Sequence, residues 1–102
     1  MSKKEIYNER IKNRNIFIDG KIDIKMAKKT CESLLSFETE DPGVPIIMYI
    51  ISNGGFLNSG RAIYDFMQSI SSPVYTISVG TTKSSAVTIL SGGEPKWANE
   101  VY

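Results

Sequence analysis

Two short stretches carry residues that could do chemistry together. In the first, an apolar run over 74–79 ends in Gly80, and Thr81, Thr82 and Lys83 lead into Ser84 and Ser85. A second apolar run, Ala86, Val87, Thr88, Ile89 and Leu90, follows and closes on Ser91, Gly92 and Gly93. The pattern predicts a strand, a tight polar turn and a short helix, with Ser84 in the helix's first turn. A serine there can cap the helix, because Ser is among the preferred N-cap residues. It can also be a nucleophile, placed where the free N–H groups and the positive end of the helix dipole point. Taken alone, the frequency of serine caps favours the cap.

The second stretch is Ser52, Asn53, Gly54 and Gly55, which breaks an apolar run over 45–51. Paired glycines let the backbone take φ > 0 and bring N–H groups close to a ligand. A plain strand-to-helix turn would need glycine as well. Set against Ser84, the Gly55 and Ser85 N–H groups would form the two-donor arrangement that acyl transfer uses for its oxyanion. Neither stretch is a dinucleotide or P-loop fingerprint. Ser85, one step further into the helix, is the weaker nucleophile. Lys83 beside Ser84 suggests a Ser-Lys dyad. Neighbours at such a turn point in different directions, and nothing marks Lys83 as desolvated, so a solvated cation is expected. The chain has no histidine. It therefore cannot by itself supply the imidazole base of a Ser-His-Asp mechanism.

The elements that would position these groups follow from periodicity. Ile16, Phe17 and Ile18, closed by Asp19 and Gly20, predict a first buried strand and its turn. Asp23 is placed to cap a helix running to about Thr39, with Ala27, Cys31, Leu34 and Leu35 as its apolar stripe and Ile24 and Phe37 flanking it. Cys31 is expected as a small buried hydrophobe. The run over 45–51 predicts a strand covered on both faces, as in a parallel sheet with helices on each side. A helix from about Asn58 to Ser71 follows, with Ile63, Phe66, Met67 and Ile70 as its stripe, and Pro73 ends it. The alternation of strand and helix predicts an α/β fold with a mainly parallel sheet and right-handed crossovers. Both chemical stretches then fall at the C-terminal edge of the strands, where such sheets bind ligands. Residues 1–15 are charged and polar, with only Ile6, Tyr7 and Ile11 able to pack. They are expected to form a flexible or partner-ordered arm ahead of a domain over 16–102.

Composition narrows the function classes. The chain has 102 residues, of which 41% are hydrophobic and 23% charged, with a net charge of +1. That is one ordinary globular unit, without the charge expected of a nucleic-acid or membrane-surface binder. No apolar run approaches membrane-spanning length, and the charged N-terminus does not read as a signal peptide. The single cysteine cannot close an internal disulfide, which fits a cytoplasmic location.

The sequence resembles the proteolytic subunit of the Clp protease family, over about 16–97. Residues 16–23 are similar to that family's opening strand, I-F-L-G-G-x-I-D, and residues 34–42 to its L-L-x-L-E-x-E-D-P. Residues 48–55 resemble Y-I-N-S-P-G-G. Residues 62–68 resemble A-I-Y-D-T-M-Q, the most specific of these stretches. Residues 76–80 followed by Ser84 look like T-I-C-V-G-x-A-A-S-M-G. The resemblance implies a crotonase-like α/β subunit of repeated β-α units, incomplete at its C-terminus, that stacks into homo-oligomeric rings. It implies Ser84 as nucleophile, Gly55 and Ser85 as oxyanion donors, and Gly54 and Phe56 along the substrate path. It also implies unfolded protein substrates, a ring-shaped ATP-driven unfoldase as partner, and no metal or cofactor in the subunit. Thr82 and Lys83 stand where the family has two alanines, and Ser85 and Ala86 where it has Met-Gly. Asn53 replaces a proline, and Phe56 a small residue. Lys83 and Phe56 are expected to crowd the substrate groove. Two readings follow, ahead of a third, a stand-alone binding domain of the same fold. One is the N-terminal part of a serine endopeptidase subunit whose His and Asp lie on missing elements. The other is a non-catalytic subunit with an assembly role.

Overall fold

A computed structural model describes residues 2–94. The end of the resemblance, over 95–97, and the end of the expected domain, to 102, lie outside the described residues. The chain runs α1 (Lys3–Ile11), β1 (Asn15–Asp19), α2 (Ile24–Glu40), β2 (Ile46–Ser52), α3 (Leu57–Ser69), β3 (Val74–Thr82) and α4 (Ser85–Ser91). The three strands are all parallel in the order β1-β2-β3. Ile18 lies opposite Ile50, and Ile50 opposite Ser78. The β-branched runs suit a pleated surface, and the helical connections between successive strands are what parallel neighbours require.

Among the described residues, helices cover one face of the sheet only, which differs from the expectation of helices on both. Ile16, Ile18, Ile46, Met48, Ile50 and Val74 pack in one core with Ala27 and Leu34 of α2, Ile63 and Met67 of α3, and Ala86 and Ile89 of α4. Successive crossovers of one hand that step in one direction lay their helices on one side of a sheet. The opposite face carries Phe17, Ile47, Tyr49, Ile51, Ile77 and Val79, half-buried or exposed. Phe17 is 66% exposed even though its ring stacks on that of Tyr49, with centroids 4.9 Å apart.

Two helices differ from expectation. Over α2, the buried residues are Ala27, Thr30 and Leu34, whereas Ile24 and Leu35 are exposed. The stripe is rotated by Thr30, a residue small enough to sit against the sheet. Cys31 is only half-buried, and burial pushes its thiol pKa up. The Asp23 cap is as expected, its carboxylate accepting from the Met26 N–H at 2.8 Å.

The arm expected over 1–15 is in large part α1, opened by a reciprocal capping box. The Glu5 N–H donates to Ser2 Oγ at 3.1 Å, and the Ser2 N–H donates to the Glu5 carboxylate at 3.2 Å. Helix α1 buries none of its own residues. Its last turn is tied to the end of α2 by Arg10, which grips Asp41 through Nε at 3.1 Å and Nη2 at 2.9 Å. Arg14, within the same charged stretch, is 1% exposed. Its guanidinium donates to the carbonyls of Phe37 and Val44, both at 2.8 Å, and of Pro45 at 3.1 Å. It also lies over the Phe37 ring, 5.4 Å from the centroid. Arg14 thus joins the start of β1 to the end of α2 and the turn into β2.

Candidate active site

The C-terminal edge of the sheet brings Ser84 and Gly54 together. Strand β3 continues through Gly80 to Thr82, past the expected turn, with a register shift where Ser52 meets Thr82. The irregular end is held by Ser78 and Thr82, whose hydroxyls lie 2.6 Å apart, and by the Lys83 N–H donating to the Ser52 carbonyl at 3.0 Å. The polar connection is thereby cut to Lys83 and Ser84. The backbone must turn from strand to helix within those two residues.

Ser84 absorbs that turn. Its φ is 56° and its ψ −128°, a region that L-residues other than glycine rarely occupy. Such a conformation costs on the order of 1–3 kcal/mol. Ser84 stands at the N-cap position of α4, but its side chain makes no capping hydrogen bond. The first turn closes through the backbone instead, the Ala86 N–H donating to Lys83 O at 3.1 Å and the Val87 N–H to Ser84 O at 2.9 Å. Ser84 is exposed, and its hydroxyl is not spent on the helix.

Gly54 closes on Ser84 from the neighbouring loop. Its φ is +98°, and a Cβ placed on it would lie 2.7 Å from Ser84 Cβ, 2.9 Å from Lys83 O and 3.2 Å from Ser84 Oγ. Only glycine permits that approach. The loop is itself pinned. The Gly54 N–H donates to Ser52 Oγ at 3.0 Å, and Ser52 Oγ donates to Gly20 O at 2.5 Å. The Ile22 N–H donates to Gly54 O at 3.1 Å and the Phe56 N–H to Ile22 O at 2.9 Å, so Gly55 sits in a bridge to Ile22. In the hydrogen bonds among the described residues, neither the Gly55 N–H nor the Ser85 N–H is a donor. Ser85 is itself 1% exposed, and its Oγ has no partner there.

Phe56 lies next to this loop, 58% exposed, with Lys21 Nζ 5.0 Å over its ring. Lys83 is exposed. An open depression of about 630 Å³ lies at the same sheet edge, lined among others by Asp19, Lys21, Ser52, Asn53, Gly54 and Thr81. Gly54 is the residue it shares with the Ser84 contact. Sequence reasoning missed the backbone strain at Ser84 and the close approach of Gly60 to Ser85. A glycine at position 60, inside an otherwise regular helical pattern, was the available signal for the second.

Among the described residues the site is thus an exposed serine on a strained strand-to-helix turn, crossed by a glycine loop at the edge of a parallel sheet. The family model for Clp protease matches residues 1–98, and the chain belongs to that family. Among solved structures it is similar to ClpP1 from Listeria monocytogenes, at 26% identity and a TM-score of 0.79, over 91% of this chain and 52% of that one. A point mutant of the same Listeria protein matches at 27% identity and a TM-score of 0.80, over 89% of this chain and 53% of the other. The chain spans about half the length of the solved structures it matches. Among the described residues, no helix is long and apolar enough to cross a membrane.

Proposed function

We propose that this chain is the N-terminal portion of a Clp-type serine endopeptidase subunit, with Ser84 as its nucleophile. The observation that carries the reading is the conformation of Ser84. A residue held at positive φ with its hydroxyl unspent on the helix is maintained for something other than capping. In the reaction, Ser84 Oγ attacks the carbonyl carbon of a peptide bond. The negative charge moves to the carbonyl oxygen, where the Gly55 and Ser85 N–H groups would receive it. Gly54 and Phe56 border the path of the substrate chain. The proton leaving Ser84 needs a base, and with no histidine in this sequence that base, and the acid that protonates the leaving amine, come from outside residues 1–102. Unfolded proteins are the proposed substrates, an ATP-driven unfoldase ring the proposed partner, a homo-oligomeric ring the proposed assembly, and the cytoplasm the proposed location.

A second reading is a non-catalytic subunit with an assembly role. The missing histidine and the replacements at Asn53, Phe56 and Lys83 favour it. A fluorophosphonate probe separates the two. The chain alone should not be labelled, for want of a base. Co-expressed with a full-length ring-forming subunit of the family, it should acquire an adduct on Ser84 that Ser84→Ala abolishes and Ser85→Ala retains. A co-assembled chain without an adduct is the outcome of the non-catalytic reading. The coding sequence past Tyr102 gives an independent check, through whether it continues into a segment bearing His and then Asp.

A further inference from the structure

Ser84 is held from two sides, and only one of them is the loop at Gly54. The other is α3. Gly60 is buried inside that helix, where glycine costs about 1 kcal/mol relative to alanine. Alanine would be tight. A Cβ on Gly60 would lie 3.0 Å from Ser85 Cβ and 3.0 Å from the Ser85 carbonyl oxygen. Neither atom is the free end of a long side chain, so relief requires the first turn of α4 to give by a few tenths of an ångström. Ser85 has no hydrogen bond through its buried Oγ to resist that movement. Its position is set by packing against the bare backbone at Gly60.

We infer that Gly60 is a positioning residue, which fixes the first turn of α4 against α3 and thereby keeps Ser84 in its strained conformation. A non-glycine residue persists at such φ and ψ only where its surroundings over-determine it. Gly54 on one side and the Gly60–Ser85 contact on the other supply that constraint. The inference matters to catalysis only through the reading of Ser84 as nucleophile, but its test does not depend on reactivity.

The experiment is solution NMR of the 102-residue chain, where the coupling constants and carbon shifts of Ser84 report the sign of φ. The parent chain should show positive φ at Ser84. Gly60→Ala should abolish that signature and shift the Ser84 and Ser85 amides, with helix and strand content retained by circular dichroism. Gly43→Ala is the control, because Gly43 also has positive φ, at +81°, but no atom lies within 4 Å of a Cβ there. It should lose stability and leave Ser84 unchanged. Identical Ser84 signals in Gly60→Ala and the parent, or equal disturbance by both variants, overturn the inference. If Gly60→Ala does not fold, Gly60→Ala with Ser85→Gly removes one of the two opposed atoms and should restore a folded chain. Failure to restore it also overturns the inference. A correctly held but unreactive Ser84 would sink the nucleophile reading alone, and a reactive Ser84 indifferent to Gly60 would sink this inference alone.

Discussion

Replacing Arg14 with methionine should destabilise the chain by about 3 kcal/mol, almost entirely through hydrogen bonds. Methionine keeps most of the apolar stem and removes the donors. Three carbonyls lose the guanidinium, those of Phe37, Val44 and Pro45. The Phe37 carbonyl still accepts from the Asp41 N–H at 3.1 Å and is not orphaned. Val44 and Pro45 are buried and are left without that partner. A buried acceptor without a partner costs about 1–3 kcal/mol, so two give a central value near 3–4. Relief from burying a cation works against that loss, which brings the net to about 3 kcal/mol. The assay is urea or thermal denaturation, where about 3 kcal/mol in a domain of this size lowers Tm by more than about 10 °C. Arg14→Lys should recover little, because one ammonium cannot reproduce the guanidinium's spread of donors. The loss should change little with salt, since the acceptors are neutral. A drop below about 1 kcal/mol would refute the assignment. So would an equal drop for Arg10→Ala, whose ion pair with Asp41 is solvent-exposed.

Other outcomes follow from the same structure. Glu38 accepts hydrogen bonds from the Ser72 hydroxyl and from the Ser71 N–H and hydroxyl, which hold its pKa down from an ordinary 4.5 to about 2. A depressed carboxylate stabilises the fold fully above its unfolded value and loses that contribution as pH falls toward the folded one. The Tm difference between the parent and Glu38→Gln should therefore shrink between pH 4.5 and 2, and a constant difference would count against it. Ser84→Gly should raise stability by about 1 kcal/mol, because glycine tolerates the backbone conformation that serine resists. Denaturant midpoints check this, and a loss of stability would mean that Ser84 is unstrained. Phe17→Lys should reduce self-association in light scattering while lowering Tm by no more than the loss of its stack on Tyr49, because Phe17 is 66% exposed on the face that the described helices leave open.

The sequence made the strands and α3 legible because their signals are local. The run into Ser52 is rich in isoleucine, and Ile63 and Met67 recur at helical spacing and are buried. The sidedness of the sheet was not legible. Strand β2 is apolar on both faces, yet the described residues cover only one of them. Arg14 was hidden among six other charged residues of the first fifteen, and only the convergence of three carbonyls from distant positions gives it a reason to be buried. The turn at Ser84 was placed correctly as the start of a helix. Its strain was not visible, because it arises from β3 running on to Thr82 and from glycines on other elements.

The bridge between Ile22 and Gly55 has a dynamic consequence. Ile22 is fully buried and bonded on both sides of Gly55, so the loop over Ser84 has no hinge of its own. It opens only when the connection from β1 to α2 opens with it. In amide exchange, Ile22 and Phe56 should behave as one cooperative unit, protected together and released together. The direction in which the Gly55 N–H points is then tied to the backbone of Ile22, whose side chain is anchored in the core, and its fluctuations should follow local unfolding rather than the faster motion of a surface loop.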